Sequence, residues 1–168
     1  IISGFTNDGN KIPQQTIPQY YDKLGFSYNK FADSITVSET EWDFERYKPD
    51  IIVINLGTND MNYATTDERK AEFEDGYLDF LKKVRSLNPD SYIFQTYGVM
   101  GTSLEENIEN VRRKYMSETG DERITFIPLT MQDEDADGIV ADWHPSPRTH
   151  SLVSQKVTAA IKETLGYK

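Results

Sequence analysis

Two short stretches hold the residue types that could polarise a carbonyl and move a proton. The first is Gly57-Thr58-Asn59-Asp60, which directly follows the apolar run Ile51-Ile52-Val53-Ile54-Asn55-Leu56. An asparagine held rigidly at the end of a buried strand can aim its side-chain amide at a developing oxyanion. A glycine beside it lets a backbone N–H approach equally closely. The plainer account is that Thr58 and Asp60 cap a turn in which Asn59 takes a left-handed conformation, and spacing alone favours that account. The second stretch is Asp142-Trp143-His144-Pro145. A loop histidine fixed by a proline and set beside a carboxylate is the usual setting of a general base. The chain has two histidines, and His150, within the predicted last helix, reads as structural or as part of a rim. Trp143, adjacent to His144, is expected to line a pocket, with Asp60 as a further ligand contact.

The elements that must position these residues are legible as periodicities. Residues 50–56 form a strand whose apolar members are expected to be covered on both faces. Residues 66–87 form an amphipathic helix with Thr66 as N-cap, and Phe73, Tyr77, Phe80, Leu81, Val84 and Leu87 fall on one face. A strand over 91–99, a helix over 103–120 ending at Gly120, a strand over 123–129 and a helix from Pro147 to Leu165 follow. In that last helix Val153, Val157, Ala160 and Ile161 are expected to face inward. Residues 5–49 read as irregular, with a short helix near 17–24, and Ile1-Ile2 as the tail of a strand. Strand and helix in alternation argue for a parallel α/β sheet, and ligands sit beyond the carboxyl ends of such strands.

Composition narrows the partners. The 168 residues suit one domain, and 37% apolar with 12% aromatic content marks a chain that folds. Lys and Arg total 18 against 28 Asp and Glu, a net charge of −10. Such a surface repels phosphate backbones and anionic lipids, so nucleic acid and membrane are not expected partners, while neutral sugars remain open. The absence of cysteine rules out disulfides and thiol catalysis. Two histidines without cysteine make zinc improbable, so no metal is expected. Asp133-Glu134-Asp135-Ala136-Asp137-Gly138 opens like a calcium loop, but His144 falls where a bidentate glutamate is needed, and a solvated acidic loop fits better. Trp42, Tyr20, Tyr21 and Phe5 could stack on sugar rings or pack as core. The chain opens without methionine, which reads as a processed or trimmed start.

Taken together, the strand end Val53-Ile-Asn-Leu-Gly-Thr-Asn-Asp60, the preceding Ser3-Gly4 and the terminal Asp142-Trp-His-Pro-Ser146 resemble the SGNH hydrolases, the GDSL-like esterases. Residues 47–60 and 142–146 are most similar to the family 2 carbohydrate esterases, which deacetylate xylan and related polysaccharides. The resemblance implies a flavodoxin-like three-layer α/β/α fold with a parallel sheet and one catalytic domain over residues 1–168, beginning at the second family block. It implies Gly4 and Asn59 as oxyanion donors and His144 as the base, with no cofactor. Asp142 matches the aspartate that orients the histidine, although many members place it three residues before the histidine rather than two. Some members use a backbone carbonyl instead. An acetylated polysaccharide is the implied substrate, and a secreted bacterial protein the implied setting.

The family's Gly-Asp-Ser block stands before the Ser-Gly block, so the resemblance places the nucleophilic serine, its strand and its helix upstream of residue 1. Ser34, in Asp33-Ser-Ile-Thr36, is rejected as nucleophile: no glycine precedes Asp33, no buried-strand run leads into it, and it follows Ser3-Gly4. Ser3 is a poorer candidate still. An upstream segment of the same polypeptide is therefore the expected partner. A non-catalytic carbohydrate-binding remnant is the alternative, and a flavodoxin-like nucleotide module ranks last because no phosphate-cradling glycine loop is present.

Overall fold

A computed structural model describes residues 16–25 and 35–167. Three strands, β1 (Ile51–Asn55), β2 (Tyr92–Val99) and β3 (Ile124–Met131), form a sheet in the order β1-β2-β3, parallel throughout. The helices are α1 (Ile17–Tyr20), α2 (Asp67–Leu87), α3 (Glu105–Thr119), α4 (Glu134–Asp137) and α5 (Pro147–Leu165). Helices α2 and α3 cover one face of the sheet and α5 the other, giving the expected α/β/α layers of an SGNH-type fold. The strand expected at Ile1-Ile2 lies outside the described residues.

Alternation along the strands sorts the core into two halves. Ile52 and Ile54, Ile93 and Tyr97, and Ile124 and Phe126 point to α2 and α3, meeting Phe73, Tyr77, Phe80, Leu81 and Val84. Phe94, Ile127 and Leu129 point the other way, against Val153, Val157, Ala160, Ile161 and Leu165 of α5. Thr66 caps α2, its hydroxyl accepting from the Arg69 N–H at 3.4 Å. Gly120 ends α3 in the left-handed conformation. Ser146 caps α5, accepting from the Thr149 N–H at 3.2 Å, with Pro147 in the first turn. The segment before the sheet is fastened to α2: Lys83 donates to the Pro18 carbonyl at 2.8 Å, and Asn88 donates to the Tyr21 hydroxyl at 3.0 Å.

One expectation is corrected. Residues of β1 were predicted to be covered on both faces, yet only Ile54 is buried, and Val53, on the α5 face, stays 47% exposed. Helix α5 lies over β3 and β2 and does not extend to Val53. Among the described residues β1 is also an edge strand. Strand β2 is the one whose members are nearly all buried, because it alone has a ladder on each side and a helical layer on each face.

The β2–β3 ladder is interrupted at its carboxyl end. Tyr97 pairs with Pro128 and Val99 with Met131, so β3 carries one extra residue. Gly98 sits in this bulge with φ 136°, and a Cβ there would run into the carbonyl of Leu129. Gly98→Ala is expected to destabilise the fold by roughly 3 kcal/mol, combining left-handed strain with overpacking against backbone that cannot yield. A lowered urea midpoint at unchanged slope checks this.

Candidate active site

The turn after β1 is built on the ring of Tyr97. Gly57, with φ 122°, passes so close that an added Cβ would stand 3.2 Å from a Tyr97 ring carbon. The Met61 N–H donates to the Gly57 carbonyl at 3.0 Å, and the N–H groups of Tyr63 and Ala64 donate to the Asp60 carbonyl at 3.0 and 2.9 Å. These bonds close a single 3₁₀ turn over Asp60–Asn62. Met61 packs its sulfur against Gly101, 3.7 Å from the Tyr97 hydroxyl. Asn59 stands at the head of this turn, exposed, with no side-chain hydrogen bond among the described residues. Its φ of −77° and ψ of −26° are right-handed, so the left-handed asparagine of the plainer account is not what shapes the turn.

Asp60 departs from expectation. It is fully buried, so its carboxylate cannot meet a ligand as predicted. It lies beneath the turn in the field of two buried phenols. Burial first, with the Asp60 charge adding, holds the Tyr77 hydroxyl far above the usual tyrosine range and raises that of Tyr97. Gln95 shares this layer, fully buried.

The histidine loop is fixed by backbone bonds. His144 donates its N–H to the Ala141 carbonyl at 3.2 Å and accepts from the Val140 N–H at 2.9 Å, while Ile139 bridges to Pro145. The ring Nδ1 lies 3.1 Å from the Ala141 carbonyl oxygen. A carbonyl can only accept, so Nδ1 carries a proton, and in the neutral ring the lone pair is on the exposed Nε2. Of the two orienting groups left open by the sequence, the carbonyl of Ala141 holds this place. Asp142 makes no hydrogen bond to His144 among the described residues; it instead takes φ 55°, ψ 35°, which lets the chain double back. Trp143 follows at φ 62° and is 63% exposed.

The acidic stretch is structural. Asp133 caps α4 by accepting from the Ala136 N–H at 2.9 Å. Asp137 accepts the Ser146 hydroxyl on its carbonyl and pairs its carboxylate with Arg148, both at 2.7 Å. Among the described residues no group of three potential metal ligands converges.

Asn59 and His144 thus lie at one edge of the sheet, the carboxyl ends of the strands, following β1 and β3. Each is anchored to β2 between them, Asn59 through Tyr97 and the histidine loop through Val99, whose carbonyl accepts from the Gln132 N–H at 2.9 Å. Gly4, Ser3, Ser34 and Phe5 lie outside the described residues. His150 is an exposed residue of the first turn of α5. Tyr21 belongs to the core, edge-on to Phe80 at 5.3 Å, whereas Trp42 is exposed. The resemblance left a backbone carbonyl open as the orienting group without marking which, and it is that of Ala141. Sequence reading missed Gln132, whose one signal is a polar side chain immediately after β3.

Comparison with known proteins matches residues 9–152 to the GDSL-like Lipase/Acylhydrolase family. The chain is 35% identical over 148 residues to a cellulase/esterase of Acetivibrio thermocellus, covering 83% of this chain and 17% of that protein. It is 22% identical to an acetylxylan esterase / glucomannan deacetylase of Cellvibrio japonicus, covering 98% and 41%. Among solved structures, an acetyl xylan esterase from the rumen bacterium Butyrivibrio proteoclasticus superposes with TM-score 0.81 at 25% identity, covering 98% of this chain and 50% of that one. A family two carbohydrate esterase from Clostridium thermocellum in complex with cellohexaose gives 0.77 at 32% identity, covering 98% and 49%. The chain therefore spans about half the length of these solved relatives. With the strand-end asparagine and the loop histidine both in place on this fold, the chain belongs to the GDSL-like lipase/acylhydrolase family, and its structural neighbours include family 2 carbohydrate esterases.

Proposed function

We infer that this chain is the base- and oxyanion-bearing part of a serine esterase that removes acetyl groups from a plant polysaccharide of the xylan type. The observation that carries the reading is the His144 ring, tethered through Nδ1 to the Ala141 carbonyl with Nε2 left free. It stands on the same sheet edge as an exposed asparagine amide. Binding alone does not require a base, so this pairing favours catalysis.

The chemistry follows from these groups. A serine hydroxyl gives its proton to His144 Nε2 as its oxygen attacks the acetyl carbonyl carbon. The tetrahedral oxyanion is held by the Asn59 amide together with the backbone N–H groups of Gly4 and of the serine. Collapse breaks the ester C–O bond, and His144 returns the proton to the departing sugar hydroxyl. Water, activated by the same ring, then releases acetate and regenerates the serine. No step calls for a cofactor. Trp143 offers a flat apolar face for a sugar ring beside the base.

The nucleophile is assigned to an upstream segment of the same polypeptide. Among the described residues the edge of β1 away from β2 has no partner strand, and this is where a flavodoxin-like order would seat the strand that carries it. Denaturing mass analysis of the folded particle tests this. A second species with a Gly-Asp-Ser sequence is expected, and a single species of 19.3 kDa would remove it. A cellulase/esterase and an acetylxylan esterase / glucomannan deacetylase among the bacterial relatives support a polysaccharide substrate and a secreted bacterial setting. No helix among the described residues is long and apolar enough to cross a membrane.

A second reading, a non-catalytic carbohydrate binder, is favoured by the exposed Trp143 and by the lack of a serine bonded to His144 among the described residues. Retardation by soluble polysaccharide in a native gel, without acetate release, would select it.

Two substitutions separate the roles in an acetate-release assay of the complete esterase. Asn59→Ala is expected to lower turnover by roughly 10²–10³-fold, the loss typical of one oxyanion donor; unchanged turnover would remove Asn59 from the scheme. Asp142→Asn is expected to change turnover little, because the Ala141 carbonyl holds the ring. A triad that depended on this carboxylate would lose about 10⁴-fold.

A further inference from the structure

The geometry points to Gln132 as a positioning residue that locks the His144 loop to the carboxyl end of the sheet. This rests on His144 acting as the base. Among the described residues three that are not glycine have positive φ: Val99 at 72°, Asp142 at 55° and Trp143 at 62°. Left-handed backbone is unfavourable for all three, most of all for β-branched Val99, and it persists only where the surroundings over-determine it. The three strained residues lie on two separate segments, and Gln132 is the residue that joins them. Its backbone N–H donates to the Val99 carbonyl at 2.9 Å, and its side-chain Nε2 donates to the Trp143 carbonyl at 2.8 Å. Gln132 directly follows β3, and the Val99–Met131 pairing beyond the bulge fixes where it stands.

The orientation of the Gln132 amide is dictated by chemistry. Its Oε1 is buried and has no hydrogen-bond partner among the described residues. An amide placed only to satisfy itself would turn that oxygen toward a donor. Turning it the other way would set oxygen against the Trp143 carbonyl oxygen, two acceptors face to face. The side chain therefore leaves one buried acceptor unmet in order to donate to Trp143. The peptide it holds is the one leading into His144. With that carbonyl fixed, the Ala141–Trp143 turn keeps its left-handed pair, and the His144 Nδ1 stays over the Ala141 carbonyl. Without it, the pair can relax toward right-handed backbone, the 143–144 peptide rotates, and the ring loses the bond that fixes its tautomer.

The test uses Gln132→Met, which keeps length but has no donor, and Gln132→Glu, which keeps shape but presents a repelling oxygen. With two histidines in the chain, nitrogen-15 imidazole spectra of the folded protein report His144 directly, and exposed His150 on α5 serves as internal reference. The wild-type His144 ring is expected as the Nδ1–H form. In both variants the Nε2–H form should become populated while His150 is unchanged. In acetate release by the complete esterase, kcat should fall by up to roughly 10²-fold, the scale of a misplaced catalytic group, with KM little altered. An unmoved His144 tautomer in both variants would overturn the proposal. So would a change shared by His150 and the unfolding midpoint, since that marks a merely structural role. If His144→Ala itself still releases acetate while the Gln132 variants shift the ring, the tether stands and the base role fails.

Discussion

The burial of β2 is the constraint from which the rest of the arrangement follows. A strand paired on both edges and covered on both faces cannot shift register without moving its side chains to the wrong layer. Its carboxyl end is therefore the most fixed point near the site. The two groups that carry chemistry are each referred to it. The Asn59 turn rests on the Tyr97 ring, and the histidine loop hangs from the Val99 carbonyl through Gln132. Neither turn needs a large core of its own, because each borrows rigidity from the central strand.

The division between polar and apolar follows the same logic. Asp60, Tyr77, Gln95 and Tyr97 form a polar floor on the α2–α3 side of the sheet, beneath the Asn59 turn. Buried phenols beside a buried carboxylate resist ionisation, and burial is the larger cause. The two phenols thus keep their protons across ordinary pH. On the exposed side the acidic stretch is used mechanically, Asp133 as a cap and Asp137 as a clamp on Ser146 and Arg148.

Much of this was legible from residues alone. The spacing of Phe73, Tyr77, Phe80, Leu81 and Val84 gave α2 its face, and Thr66, Gly120 and Pro147 marked helix ends by local chemistry that tertiary contacts do not override. Asn59 and His144 stood out because a strand end and a proline-bounded loop are places where side-chain type is informative. What stayed hidden depends on the third dimension. An aspartate beside an asparagine looks like a ligand contact until packing buries it. An aspartate beside a histidine looks like its partner until the backbone turns the ring to Ala141. The openness of β1 was hidden for a related reason, since Ile-Ile-Val-Ile reads the same in a central strand as at an edge.

The contact of Met61 with Gly101 carries a chemical liability for the site. The thioether is wedged between Gly101 and the Tyr97 hydroxyl, two residues beyond Asn59 and bonded through its own N–H to Gly57. Oxidation to the sulfoxide adds an oxygen and a dipole to a side chain packed against the Gly101 backbone. A turn that gave way to it would carry the Asn59 amide along. Peroxide would then act on this protein through a sulfur that takes no part in its chemistry, and a sulfoxide reductase would restore it.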